Sequence, residues 1–272
     1  MKQRILTALT ALPAVLVLLF CPVWVVMLAV MGASMMGLWE YYSAVGLDKN
    51  KTLTGMGFVA AVLIPLGSWM SVSGIQTVLY LYIAVLFLLF LKEHKTIHWS
   101  QMALLVMGLL YIPYFLSHII YVRDMELGRF YIWLVFIGAF LTDTCAYFVG
   151  CSMGKKKLCP EISPKKTVEG AIGGIVGCGI SFLVFGIVVN LGFADMLGDV
   201  RFSLAKLFLC GLFCAVVSEV GDLVASMLKR QFEIKDFGNL LPGHGGILDR
   251  CDSIILVAPA LFVFLQQVGV LV

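Results

Sequence analysis

The sequence predicts an all-α polytopic membrane protein of about nine transmembrane helices, with the N-terminus cytoplasmic and the C-terminus outside. Three observations carry that expectation. Only 13% of the 272 residues are charged, against about 25% in an average soluble domain, while 61% are hydrophobic and the mean hydropathy is +1.01. The apolar residues fall in continuous blocks of about 17 to 25, the length that takes a helix across roughly 30 Å of hydrocarbon at 1.5 Å per residue. Those blocks do not alternate apolar with polar, which disfavours a closed β-barrel.

In chain order the expected spans lie near residues 5–20, 23–45, 55–70, 75–91, 99–120, 130–150, 168–192, 205–228 and 253–271. Lys2 and Arg4 ahead of the first apolar run imitate a secretory signal. Eight more blocks follow with no convincing cleavage site, so this segment is expected to remain as the first span. With the N-terminus inside, the inner segments hold fifteen of the 19 basic residues, and the outer loops keep only Arg123, Arg129, Arg201 and Lys206, beside balancing acids. The two longest polar segments, 151–167 and 229–252, then share the cytoplasmic face. The expected organisation is a scaffold of five helices over residues 1–120 and a catalytic region of four helices plus those two loops over residues 121–272. At this hydropathy there is no room for a separate soluble domain, and nucleic acid is not an expected partner. The eight cysteines are scattered, without the spacing of a disulfide framework or a zinc site.

The first half reads as scaffold, with Trp39, Trp69 and Trp99 near expected interfaces and Glu40 taken as a snorkelling carboxylate at the end of the second span. The second half differs. Asp143, Glu169, Glu219 and Asp222 fall inside or at the ends of apolar spans, where each charge costs about 2.5–3.5 kcal/mol on insertion scales. Such acids call for paired lysines, a bound cation or a wet cavity. Glu219, Asp222, Ser226, Lys229 and Arg230 recur at offsets that project from one helix face, a polar stripe of two acids, a hydroxyl and two cations. Beyond it come Lys235, a glycine-rich turn holding His244, and then Asp249, Arg250 and Asp252.

Hard cations such as Mg²⁺ bind carboxylate oxygens and take their remaining ligands from water and substrate phosphates. Asp222 and Asp249, on consecutive helices around a shared loop, suit that role, with Asp143 and Glu219 as further candidate ligands. Arginines and lysines near them suit phosphate oxygens. Acids for metal beside bases for phosphate point to phosphoryl or nucleotidyl transfer. The segment Ser163 to Gly170 repeats the theme: Ser163 as cap and Pro164 in the first turn would start a helix whose N-terminus, flanked by Lys165, Lys166 and Thr167, attracts an anion. His244 is a candidate to bind phosphate, shape the loop or act as a base.

The run Ser226-Met227-Leu228-Lys229-Arg230, then Lys235-Asp236-Phe237-Gly238, then Leu241 through Asp252 closely resembles the motif of phosphatidate cytidylyltransferases, the CDP-diacylglycerol synthases. The resemblance extends to Asp143-Thr144-Cys145-Ala146-Tyr147, to Ser163 through Gly170 and to Trp39-Glu40. Cys251 departs from the family's larger aliphatic residue, and Cys151-Ser152-Met153 from its basic residue and phenylalanine. The resemblance implies a homodimeric enzyme that converts CTP and phosphatidate into CDP-diacylglycerol and pyrophosphate with Mg²⁺ and a second cation such as K⁺. It assigns Asp222 and Asp249 to metal, with Lys229 and Arg230 beside them as catalytic, and Lys165, Lys166, Thr167, Ser226, Lys235, His244 and Arg250 to substrate. With no long extension before its first span, the chain resembles the bacterial form, which implies the plasma membrane and an active site on its cytoplasmic side. Two other functions fit parts of the pattern. A CTP-dependent polyprenol kinase would release CDP instead of pyrophosphate, and an ion-coupled transporter would show an inverted repeat, which this sequence lacks.

Overall fold

In the computed structural model, which describes residue 13, residues 17–238, residue 240 and residues 245–272, seven helices among the described residues are long and apolar enough to cross a membrane. The chain is thus a multi-pass helical membrane protein. Most of the first expected span, and His244, lie outside the described residues.

Two units divide the chain, one of residues 1–129 with 231–251 and one of residues 130–230 with 252–272. In the first, α1 (Val23–Val45) stops at Gly46, whose left-handed backbone (φ +73°) turns its N–H back to the Tyr42 carbonyl. Asn50 then caps α2 (Lys51–Met70) by accepting the N–H groups of Thr52 and Leu53. Ser71 closes α2 and caps α3 (Val72–Lys92) through the Gly74 N–H, so the two helices form a hairpin with a single linking residue. Helix α4 (Trp99–Asp124) is interrupted by a π-helical turn at Leu110–Tyr114, where Pro113 lacks an N–H and Ser117 donates its hydroxyl to the Pro113 carbonyl. Leu38, Leu53, Ile64, Leu105 and Ile112 are fully buried among these helices, while residues such as Tyr80 and Leu88 stay exposed to be covered by lipid.

The second unit is built on close helix approach. Helix α5 (Gly128–Met153), which begins in the first unit, carries its own π-helical turn at Ile137–Leu141. Next comes a two-stranded antiparallel ribbon, β1 (Lys157–Cys159) with β2 (Ser163–Thr167), and then α6 (Val168–Gly192). Ser163 therefore does not cap a helix, as the sequence suggested. Pro164 is tolerated because a two-stranded ribbon is all edge, and Thr167, extended at φ −123° and ψ 153°, is the cap, accepting the Gly170 N–H. Helices α6 and α7 (Leu204–Gln231) cross at Gly179 and Gly211, where a Cβ on Gly211 would sit 2.9 Å from the Gly179 Cα. Helix α7 meets α8 (Leu248–Gln267) at Gly221, where a Cβ would stand 2.7 Å from the Asp252 carbonyl oxygen. At the far end Asn190 exchanges two hydrogen bonds with the Phe202 backbone, and the Phe202 ring meets Phe130, Tyr131 and Phe185 edge-on. Helix α8 overlaps the ninth expected span but is not among the seven helices long and apolar enough to cross a membrane. Asp249, Arg250 and Asp252 in its first turns keep that end polar.

Candidate functional site

Helix α7 carries Glu219, Asp222 and Ser226 at offsets of three and four residues, hence on one face, as its sequence period requires. Opposite them the ribbon presents Lys166. Its Nζ lies 2.6 Å from Glu219 Oε2 and 2.8 Å from Asp222 Oδ2. Lys166 is half-buried, whereas its neighbour Lys165 is exposed. Ser226 donates its hydroxyl to Asp222 Oδ1 at 3.5 Å. From α5, Asp143 accepts the Ser253 hydroxyl at 3.3 Å and feels the charges of Asp222, Lys166 and Glu219. Asp252 of α8 is held in the field of Asp222, Asp143 and Lys229.

Four acids from three helices thus lie within one another's field, and two of them share the Lys166 ammonium. Burial works against the charge on Lys166, but Asp222 and Glu219 outweigh it and raise its pKa above the usual lysine value. Glu219 Oε1 is buried and accepts no hydrogen bond. Such a set is short of positive charge. Its donors are all carboxylate oxygens, the chemistry of a hard cation; among the described residues no three His, Cys, Asp or Glu side chains stand so as to hold a metal ion by themselves. Carboxylate oxygens are what Mg²⁺ takes from a protein, one or two at a time, with water and substrate phosphates as its other ligands.

The model of the cytidylyltransferase family matches residues 2–268. The chain belongs to the cytidylyltransferase family. It is 35% identical over 277 residues to a phosphatidate cytidylyltransferase of Bacillus subtilis, covering 97% of each chain. Enzymes of the same name from Staphylococcus haemolyticus and Staphylococcus aureus are 33% and 34% identical, covering 98% of this chain and all of theirs.

In this cytidylyltransferase the second half of the long motif belongs to the first unit. Asp249 Oδ2 accepts the N–H groups of Phe237 at 2.8 Å and of Gly246 at 3.0 Å, which closes the motif loop onto the first turn of α8. Gly245 takes a left-handed backbone there (φ +84°), a conformation that favours glycine. Glu40 is no snorkelling side chain. It is 5% exposed, and its carboxylate receives the N–H groups of Ile247 at 2.9 Å and Leu248 at 2.8 Å, anchoring the start of α8 through two otherwise orphaned donors.

The remaining sequence candidates are dispersed. Arg230 donates through Nε to the Ile162 carbonyl at 3.3 Å, Lys235 is exposed in the loop after α7, and Thr167 commits its hydroxyl to capping α6. Lys229 and Arg250 both engage neighbours, Lys229 the Asp252 carboxylate among them. Glu169, which the sequence grouped with the membrane acids, instead accepts the N–H groups of Lys155 at 3.0 Å and Lys156 at 3.2 Å, fixing the turn before β1. Asp252 takes its place as the fourth acid of the cluster. It stands three residues after Asp249 in the sequence, one turn further along α8.

Proposed function

We propose that this chain is the membrane nucleotidyltransferase that joins CTP to phosphatidate, giving CDP-diacylglycerol and pyrophosphate for phospholipid synthesis. The family match from end to end of the chain carries this assignment, and the acid-rich cluster around Lys166 supplies chemistry suited to it. A phosphatidate phosphate oxygen forms the new bond to the α-phosphorus of CTP, and the bond to the β-phosphate breaks as pyrophosphate departs. The phosphate monoester is already an anion near neutral pH, so no general base is needed and His244 is free to bind phosphate.

Asp222 and Asp249 are the proposed metal carboxylates, from their motif positions, with Asp143 and Glu219 supporting Asp222 and a second cation such as K⁺ sharing the site. Bound Mg²⁺ would neutralise the triphosphate and polarise the reacting phosphorus. The chain's own residues bind and orient. Lys166, paired with the acids, presents a fixed positive charge. Exposed Lys165 and Lys235 meet phosphate oxygens as point charges, and Arg230, Arg250 and Lys229 hold the triphosphate or departing pyrophosphate. Ser226 keeps the Asp222 carboxylate in one rotamer. The basic bias of the 151–167 and 229–252 loops supports a cytoplasmic active site, nine spans with the C-terminus outside, and a bacterial plasma-membrane location. The resemblance further supports a homodimer.

The test is purified protein in mixed micelles with phosphatidate, labelled CTP and Mg²⁺, following label in the lipid phase together with pyrophosphate, with EDTA and Asp222→Asn as controls. Label entering lipid in step with pyrophosphate supports the assignment. CDP accumulating beside unlabelled nucleotide-free lipid refutes it.

A further inference from the structure

The hairpin of α2 and α3 encloses a groove of about 540 Å³ that the proposed chemistry does not use. Along α2 its wall is Lys51, Gly55, Val59 and Leu63, a stripe four residues apart and so on one helix face; Leu81 and Val85 of α3 form the other wall, and buried Tyr82 the floor. The stripe rises about 18 Å from Lys51 to Leu63, against roughly 15 Å for one leaflet of hydrocarbon. Among the described residues that line the groove Lys51 is the one charge, and it lies at one end. The groove also faces outward. Only 17% of the apolar window of α3 is buried, against 33–61% in the other six candidate spans, and Val59, Leu81 and Val85 are each more than half exposed. A Cβ built on Gly55 meets nothing within 4 Å, so the missing side chain leaves the groove open along its length.

We propose that this groove seats one acyl chain of a resident anionic phospholipid, with the lipid phosphate on the Lys51 ammonium. An apolar trough one leaflet deep with a cation at its interfacial end matches a lipid's own layout. A phosphate beside a single lysine, with no second charged side chain among the described lining residues, favours a headgroup of net negative charge over a zwitterionic one. The inference rests on the chain spanning the membrane and is independent of the catalytic assignment.

Native mass spectrometry of the full-length protein, titrated with phosphatidylglycerol, phosphatidylcholine or phosphatidate, tests it. The expected result is one phosphatidylglycerol retained about fivefold more tightly than phosphatidylcholine, a preference removed in Lys51→Gln. Gly55→Leu, whose new side chain fills open space, should lose the retained lipid while its melting temperature and nucleotidyl transfer stay at the parental level; Val59→Trp provides a second obstruction. Equal retention of both lipids by the parent protein, or unchanged retention in Gly55→Leu and Val59→Trp, overturns the proposal. So does retention of phosphatidate alone with a raised KM in Gly55→Leu, which would make the groove a substrate channel.

Discussion

Replacing Lys166 by Met removes the ammonium that bridges Glu219 and Asp222 while keeping a chain of similar length. The Lys166 side chain is 19% exposed and its partners 8% and 27%, so the pair is largely screened from water. Breaking such a pair from one side costs about 3–5 kcal/mol because the surviving charges lose their partner, and the partial exposure of Asp222 places this case near the lower figure. A loss of about 3 kcal/mol in a domain of this size lowers the melting temperature by roughly 6–12 °C. The assay is thermal unfolding in detergent with EDTA, repeated with Mg²⁺. If Mg²⁺ binds the same acids, a concentration one hundred times its Kd returns about 2.7 kcal/mol. The gain should be larger in Lys166→Met than in the parent, where Asp222 is already occupied by the ammonium. A variant that melts within about 2 °C of the parent in EDTA refutes the claim that the bridge holds the cluster. An equal Mg²⁺ shift in both proteins refutes a shared Asp222.

Because the folded Lys166 has a pKa above its ordinary 10.5, its stabilisation is fully present below that value and is lost as pH rises through the higher folded one. The melting difference between parent and Lys166→Met should thus be the same at neutral pH and just under 10.5. Asp222→Asn and Asp249→Asn should each abolish cytidyl transfer with near-parental folding by circular dichroism; full activity in either contradicts the proposed metal site. Glu40→Ala removes two charge-assisted bonds, and a loss of about 3 kcal/mol is expected, with faster amide exchange at Ile247 and Leu248 as its local mark. Gly221→Leu should disrupt activity by forcing a side chain against the Asp252 carbonyl, whereas Gly55→Leu is accommodated.

The spans were legible because hydrocarbon thickness leaves a long, continuous mark in the sequence, and Val168–Gly192 was read to the residue. The stripe on α7 was equally visible, since helical offsets fix which residues share a face. The ribbon was not. Its strands are three and five residues long, lysine-rich and interrupted by Pro164, with no apolar alternation to separate them from a loop. Glu40 was misread for a different reason. Its partners lie 207 and 208 residues away, and nothing local distinguishes a buried anchor from an interfacial carboxylate. The same distance problem separates Glu169, which serves its own neighbourhood, from Asp252, which joins the acids of α5 and α7.

The order of synthesis gives the Lys166 bridge a role before the protein is complete. Lys166 precedes Glu219 by 53 residues, so at about 5–20 residues per second the ribosome has finished the ribbon roughly 3–10 s before the first acid of α7 is made. The counter-ion is thus in place when the helix that needs it leaves the translocon, and two carboxylates enter the bilayer against a charge already waiting for them. Asp252 is the last of the four acids to be made. Moving the lysine downstream of α7 would keep the finished ion pair and remove that head start, a cost that would appear as failed insertion and rapid proteolysis.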